Sequence, residues 1–135
     1  MSAADPAVAQ LQDRAAECLT RYEIAVRAED GGLGFEYDGA LCSLRAVSLA
    51  PGLDVLTLTC VLAWDRPLKP QLHKRVADRN AALQFGSITV VGHDRLADVI
   101  FRYTFPAAGL ADEALATMLV LVLAGAGRAR QGLLP

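Results

Sequence analysis

Between residues 72 and 105 the chain places an asparagine on the apolar stripe of an amphipathic helix and follows it at once with two extended runs. Leu72, Val76, Asn80 and Leu83 are spaced three and four apart, so they share one helical face. An amide in such a position costs free energy unless its donor and its acceptor are both met. A ligand could meet them, but backbone of a neighbouring strand or linker is the expected partner, because most buried polar groups are satisfied in that way. Asn80 is therefore assigned a structural role. The runs that follow, 85–91 and 96–105, alternate apolar and polar residues and turn at Gly92-His93-Asp94-Arg95, which predicts a hairpin.

The remaining segments fit around this unit. Asp5-Pro6 is a helix cap followed by a proline at the first helical position, and Val8, Leu11, Ala15, Cys18, Leu19 and Tyr22 then recur at helical spacing. Ile24-Ala25-Val26-Arg27 reads equally as helix tail or as a short extended piece. Three strands follow. Leu33, Phe35 and Tyr37 alternate with Gly34, Glu36 and Asp38, and Asp38-Gly39 signals a tight turn. A second strand covers 41–49 and a third, rich in strand-favouring residues, covers 55–63. Residues 64–70 read as a linker into the Asn80 helix, and a last helix starts near Ala111 and reaches the Gly125–Gly127 region. Its interior, Met118-Leu119-Val120-Leu121-Val122-Leu123, is apolar all round. The order α-β-β-β-α-β-β-α predicts an α+β two-layer domain with an antiparallel sheet, one domain over 7–127, and a flexible tail over 128–135. One sheet face, carrying Leu33, Phe35, Tyr37, Leu56, Leu58, Leu62, Phe101 and Tyr103, should be covered by helices. The other, carrying Glu36, Arg45, Thr57, Thr59, Arg102 and Thr104, suits water or a modest contact.

Composition excludes several classes. With 53% apolar residues in 135, the chain can bury a core, which disordered segments cannot. A formal charge of −2 with interspersed signs supplies no basic patch for nucleic acid. The longest apolar run, 118–124, is too short to cross a bilayer, and the first residues lack the basic start and apolar core of a signal peptide. Cys18, Cys42 and Cys60 lie on separate predicted elements with no close pair, as expected of reduced thiols in a cytoplasm.

The element order, the Phe35-Glu36-Tyr37-Asp38-Gly39 hairpin, the 53–63 strand before a proline-bearing linker, and Arg79-Asn80-Ala81-Ala82-Leu83 before a glycine-led strand resemble the bacterial YbjN-domain family over residues 8–124. That resemblance implies the fold of the type III secretion chaperones, usually dimeric and non-enzymatic, with roles in sensory-transduction regulation or chaperone-like binding. It carries over no catalytic residue. Acidic residues are sparser before the first strand here, and the tail has no counterpart in the family.

Candidate chemistry elsewhere is sparse. His73 has Lys74 and Arg75 beside it and no nucleophile in reach, and His93 sits in a turn; both read as solvated. The three cysteines fall on inward-facing positions, where thiols behave as small hydrophobes. Gly31-Gly32-Leu33-Gly34 precedes a strand rather than a helix and is a turn, not a phosphate cradle. Neither His-Cys spacing nor the aspartates 54, 65, 94 and 98 form a recognisable metal motif. The last helix carries more apolar surface than one stripe needs, which points to the first helix, a second subunit or a ligand as cover. Met118, Leu119, Leu121 and Val122 are the candidate interface. The leading expectation is a cytoplasmic homodimeric module that binds a protein or peptide and needs no cofactor, metal, membrane or nucleic acid. The alternative is a small-molecule sensor with a pocket lined by Phe35, Tyr37, Leu58, Phe101 and Met118. An enzyme is disfavoured, since no set of nucleophile, base and orienting group converges.

Overall fold

The computed structural model describes residues 5–133; residues 1–4, read above as carrying no targeting signal, lie outside them. The Asp5 carboxylate accepts from the amides of Ala7 at 3.0 Å and Val8 at 3.5 Å, satisfying donors that the first helical turn leaves bare. Helix α1 then spans Pro6–Arg21 and buries Leu11, Ala15, Cys18 and Leu19. The chain turns at Glu23, where φ is +62°, and residues 24–26 lead into a short strand, β1, Arg27–Glu29. This strand adds one element to the expected order. All three of its residues are exposed, so it has no alternation to read and is held by backbone pairing to β2.

Strands β2 (Gly32–Tyr37), β3 (Ala40–Ala50) and β4 (Leu53–Pro67) form an antiparallel meander. Asp38 and Gly39 both have positive φ, +49° and +83°, the geometry a two-residue hairpin turn requires and glycine accepts without strain. Strand β4 does not end at Ala63. It runs through most of the expected linker, pairing Arg66 with Ala97 and Pro67 with Leu96. Register shifts between Val61 and Ala63 and between Ala63 and Arg66 absorb the residues that break the period-two pattern.

Helix α2 covers Pro70–Ala82, strands β5 and β6 cover Ser87–His93 and Leu96–Pro106, and helix α3 covers Asp112–Leu133. The tail is a correction. Residues 128–133, expected to fray, continue α3 without a break, and Ala129 and Leu133 are buried; residues 134 and 135 lie outside the described residues. Tertiary contacts hold this segment. Arg130 donates to the Asp38 carbonyl at 3.1 Å, and Arg66 donates to the Leu133 carbonyl at 3.1 Å. A side chain at Gly127 would meet the Asp38 carboxylate at 3.0 Å, so a glycine that looked like a helix stop lets the β2–β3 turn approach.

The six strands form one antiparallel sheet in the order β1-β2-β3-β4-β6-β5. Leu33, Phe35, Leu44, Leu56, Leu58, Leu62, Val99, Phe101 and Phe105 join Leu11, Leu19, Leu115, Leu119 and Leu123 of α1 and α3 in one core. Each such side chain contributes about 1.5–3 kcal/mol by leaving water. The expected face assignment holds, with Tyr37 and Tyr103 only half-buried at its margins. On the other face, register aligns Ser43, Thr59, Arg102 and Ser87 in one row and Arg45, Thr57 and Thr104 in the next. Arg14 ties α1 to the start of α3, its Nε donating to Asp112 at 2.8 Å and its other nitrogens to the Ala108 and Leu110 carbonyls. The result is a two-layer α+β domain.

Candidate functional site

Helix α3 resolves the surplus of apolar surface that its sequence presents. It touches α1 on one flank, α2 on the other and β4 beneath, so more than one stripe is covered within the chain. Leu119 and Val122 are each 1% exposed and belong to the core, which removes them from the candidate interface. Met118 is half-buried at the core margin. Leu121 alone of the four is open, at 48% exposure, on a line that includes the exposed Ala114, Thr117 and Arg128. Beside it lies a groove of about 320 Å³ between α2 and α3, lined by Leu83, Phe85, Leu121, Gly125, Arg79 and Arg128 among others. Neither arginine forms an ion pair among the described residues.

The residues expected to line a pocket between sheet and helices pack against one another instead. Phe35, Leu58 and Phe101 are 0% exposed within the contiguous core, and only Tyr37 and Met118 reach its edge. A broader concavity of about 550 Å³ lies instead over the open sheet face, where Ser87, Thr89, Ile100, Arg102 and Thr104 line it. The Thr57 and Thr104 hydroxyls bond to each other across this face at 3.0 Å.

Asn80 lies half-buried on the last turns of α2, over the beginning of β5. Its Nδ2 donates to the Ile88 carbonyl at 2.9 Å and its Oδ1 accepts from the Ile88 amide at 2.7 Å. A single amide thus answers both polar groups of one residue, with ordinary hydrogen-bond lengths. Val76 on the same stripe is buried, with Leu72 and Leu83 packed at its ends.

All three cysteines are buried. Cys42 and Cys60, distant in sequence, are cross-strand partners with their sulfurs 3.2 Å apart. The hydrogen bond between these thiols and the burial around them push the Cys60 ionisation far upward, so Cys60 behaves as neutral apolar matter rather than as a nucleophile. Sequence spacing hid the contact, which depends on the β3–β4 register. His73 is exposed on α2, but His93 is not a free turn residue. Its Nε2 lies 3.1 Å from Asp98 Oδ1 and 3.3 Å from Asp65 Oδ1. The hydrogen bond with Asp98 raises the His93 pKa. The Asp98 carboxyl is lowered chiefly by the Asp65 amide, which donates to it at 3.0 Å, and then by His93. The bulge in β4 delivers Asp65 to this cluster, and no local sequence signal announces it. No helix of the described residues is long and apolar enough to cross a membrane.

No family model matches the sequence, and no curated protein does. Among solved structures the chain is similar to the crystal structure of YbjN from E. coli, a candidate transcription regulator, with a TM-score of 0.68 and 12% identity over 87% of this chain and 86% of that one. The fold is therefore YbjN-like.

Proposed function

We propose that this chain is a YbjN-like regulatory interaction module that works as a homodimer and presents a surface to a protein or peptide partner. The observation that carries the reading is Leu121, nearly half exposed in the middle of the longest helix and bordering the α2–α3 groove. A symmetric dimer uses one patch on both subunits, and the small residues Thr117, Ala124 and Gly125, one turn from this exposed leucine, let a second helix approach closely. The likeness in fold to a candidate regulator supports the regulatory half of the proposal. Its non-catalytic half is supported by the burial of all three thiols, which withholds them from a substrate. A specific interface of this kind buries about 800 Å² per partner.

Light scattering on the wild type and on Leu121→Asp tests the proposal. A dimer mass is expected for the wild type at tens of micromolar. The variant should keep its circular dichroism, since Leu121 is open in the protomer, and fall to monomer mass. A monomeric wild type overturns the dimer. A folded variant that remains dimeric overturns the α3 interface and moves it to an edge of the sheet.

A further inference from the structure

We propose that Asp65, His93 and Asp98 form a binding site for a divalent transition-metal ion of the zinc type. The three come from three strands. Asp65 stands at the β4 bulge with φ of +51°, His93 closes β5, and Asp98 follows the β5–β6 turn near the start of β6. Their ligand atoms all lie within 4.8 Å of one another. The two separations that involve His93 Nε2, 3.1 Å and 3.3 Å, come close to the edge of a tetrahedron. With metal bonds of about 2.0–2.2 Å, that edge is about 3.3–3.6 Å. One imidazole with two carboxylates is a donor set that zinc and its neighbours accept.

Charge favours an ion as well. Asp65 and Asp98 pair with His93 alone, and among the described residues no lysine or arginine bridges to either of them or to the adjacent Asp94. Two carboxylates on one small patch attract a dication, while the hydrogen bond donated by the Asp65 amide keeps the Asp98 carboxylate oriented. Access is open: the Asp65 and His93 side chains are 66% and 43% exposed, which leaves a fourth position for water or for a group from a partner. The backbone already holds the cluster together, so binding requires little rearrangement.

Calorimetry with zinc chloride on the full chain, paired with the visible spectrum of the cobalt(II) form, tests the site. One ion per chain is expected, with a tetrahedral cobalt spectrum free of thiolate charge transfer. His93→Gln and Asp65→Asn should each weaken binding at least tenfold; Asp65 is exposed and asparagine tolerates its positive φ, so that variant keeps the fold. His73→Gln, which alters the other histidine, should leave binding unchanged. Absence of saturable binding, survival of binding in His93→Gln or Asp65→Asn, or a thiolate band from the cysteines would each overturn the proposal.

Discussion

Strand β5 is anchored by a side chain at each end. At its start Asn80 reaches from α2 to Ile88 through two neutral hydrogen bonds of 2.9 Å and 2.7 Å; at its end His93 reaches two carboxylates at 3.1 Å and 3.3 Å. Because β5 pairs only with β6 among the described residues, Ile88 finds its second set of partners on the helix rather than on another strand. The amide is half-buried, carries no charge and leaves nothing unsatisfied, so its contribution persists across pH. His93 and Asp65 are exposed, so water and salt compete with these pairs, and their attraction depends on a proton. The comparison separates a tie that holds the fold from one whose charges remain open to another occupant.

Removing the neutral tie should have the larger effect. Asn80→Ala leaves the Ile88 amide and carbonyl without partners, and should lower stability by about 1–3 kcal/mol. Urea midpoints shifted equally at acid and neutral pH would confirm that the tie carries no charge; a midpoint equal to wild type would show that water replaces the amide.

Asn80→Asp should give the first tie the pH dependence of the second. Ionised, the new carboxyl can accept from the Ile88 amide but faces the Ile88 carbonyl without a donor; protonated, it offers one donor and one acceptor as the amide does. Its folded pKa is then raised, so its stabilisation is present below about 3.9 and is lost as pH rises through the folded value. A loss of about 1–2 kcal/mol at neutral pH, shrinking toward acid relative to wild type, is the expected urea result. A pH-independent loss would mean that geometry, not the missing donor, sets the penalty.

The smallest effect belongs to His93→Gln, measured with chelator present. The raised His93 pKa means that its stabilisation is complete below its usual 6.5 and is lost as pH rises through the higher folded value. Asp98, lowered in the fold, contributes above its usual 3.8 and loses that contribution as pH falls through its lowered value. The wild type should therefore exceed the variant slightly near about pH 5.5 and match it in alkali. A gap that widens with pH would reverse the assigned sign.

The two ties also differ in how far they could be read from the chain. Asn80 sits on a stripe defined by residues three and four positions away, and Ile88 follows only eight residues later, so the pairing of helix and strand was legible locally. The sheet faces were legible for the same reason, since alternation along β2, β4 and β6 is a near-neighbour property. His93, Asp98 and Asp65 look like scattered polar residues until the β4 bulge and the β5–β6 register bring them together. Cys42 and Cys60 are a similar case, joined by register alone.

Local periodicity and turn chemistry thus determined the α+β class, the Asp38-Gly39 turn, the buried sheet face and the role of Asn80, because each depends on residues within a few positions of one another. Tertiary structure decided the rest. Strand β1 exists because β2 offers its backbone an edge, and β4 continues past Ala63 because β6 accepts a bulged partner. Residues 128–133 stay helical because Asp38 and Arg66 hold them. Leu119 and Val122 are core while Leu121 is surface because α1 and α2 flank α3. An all-apolar helix carries no mark of which side its neighbours will cover, and only packing supplies it.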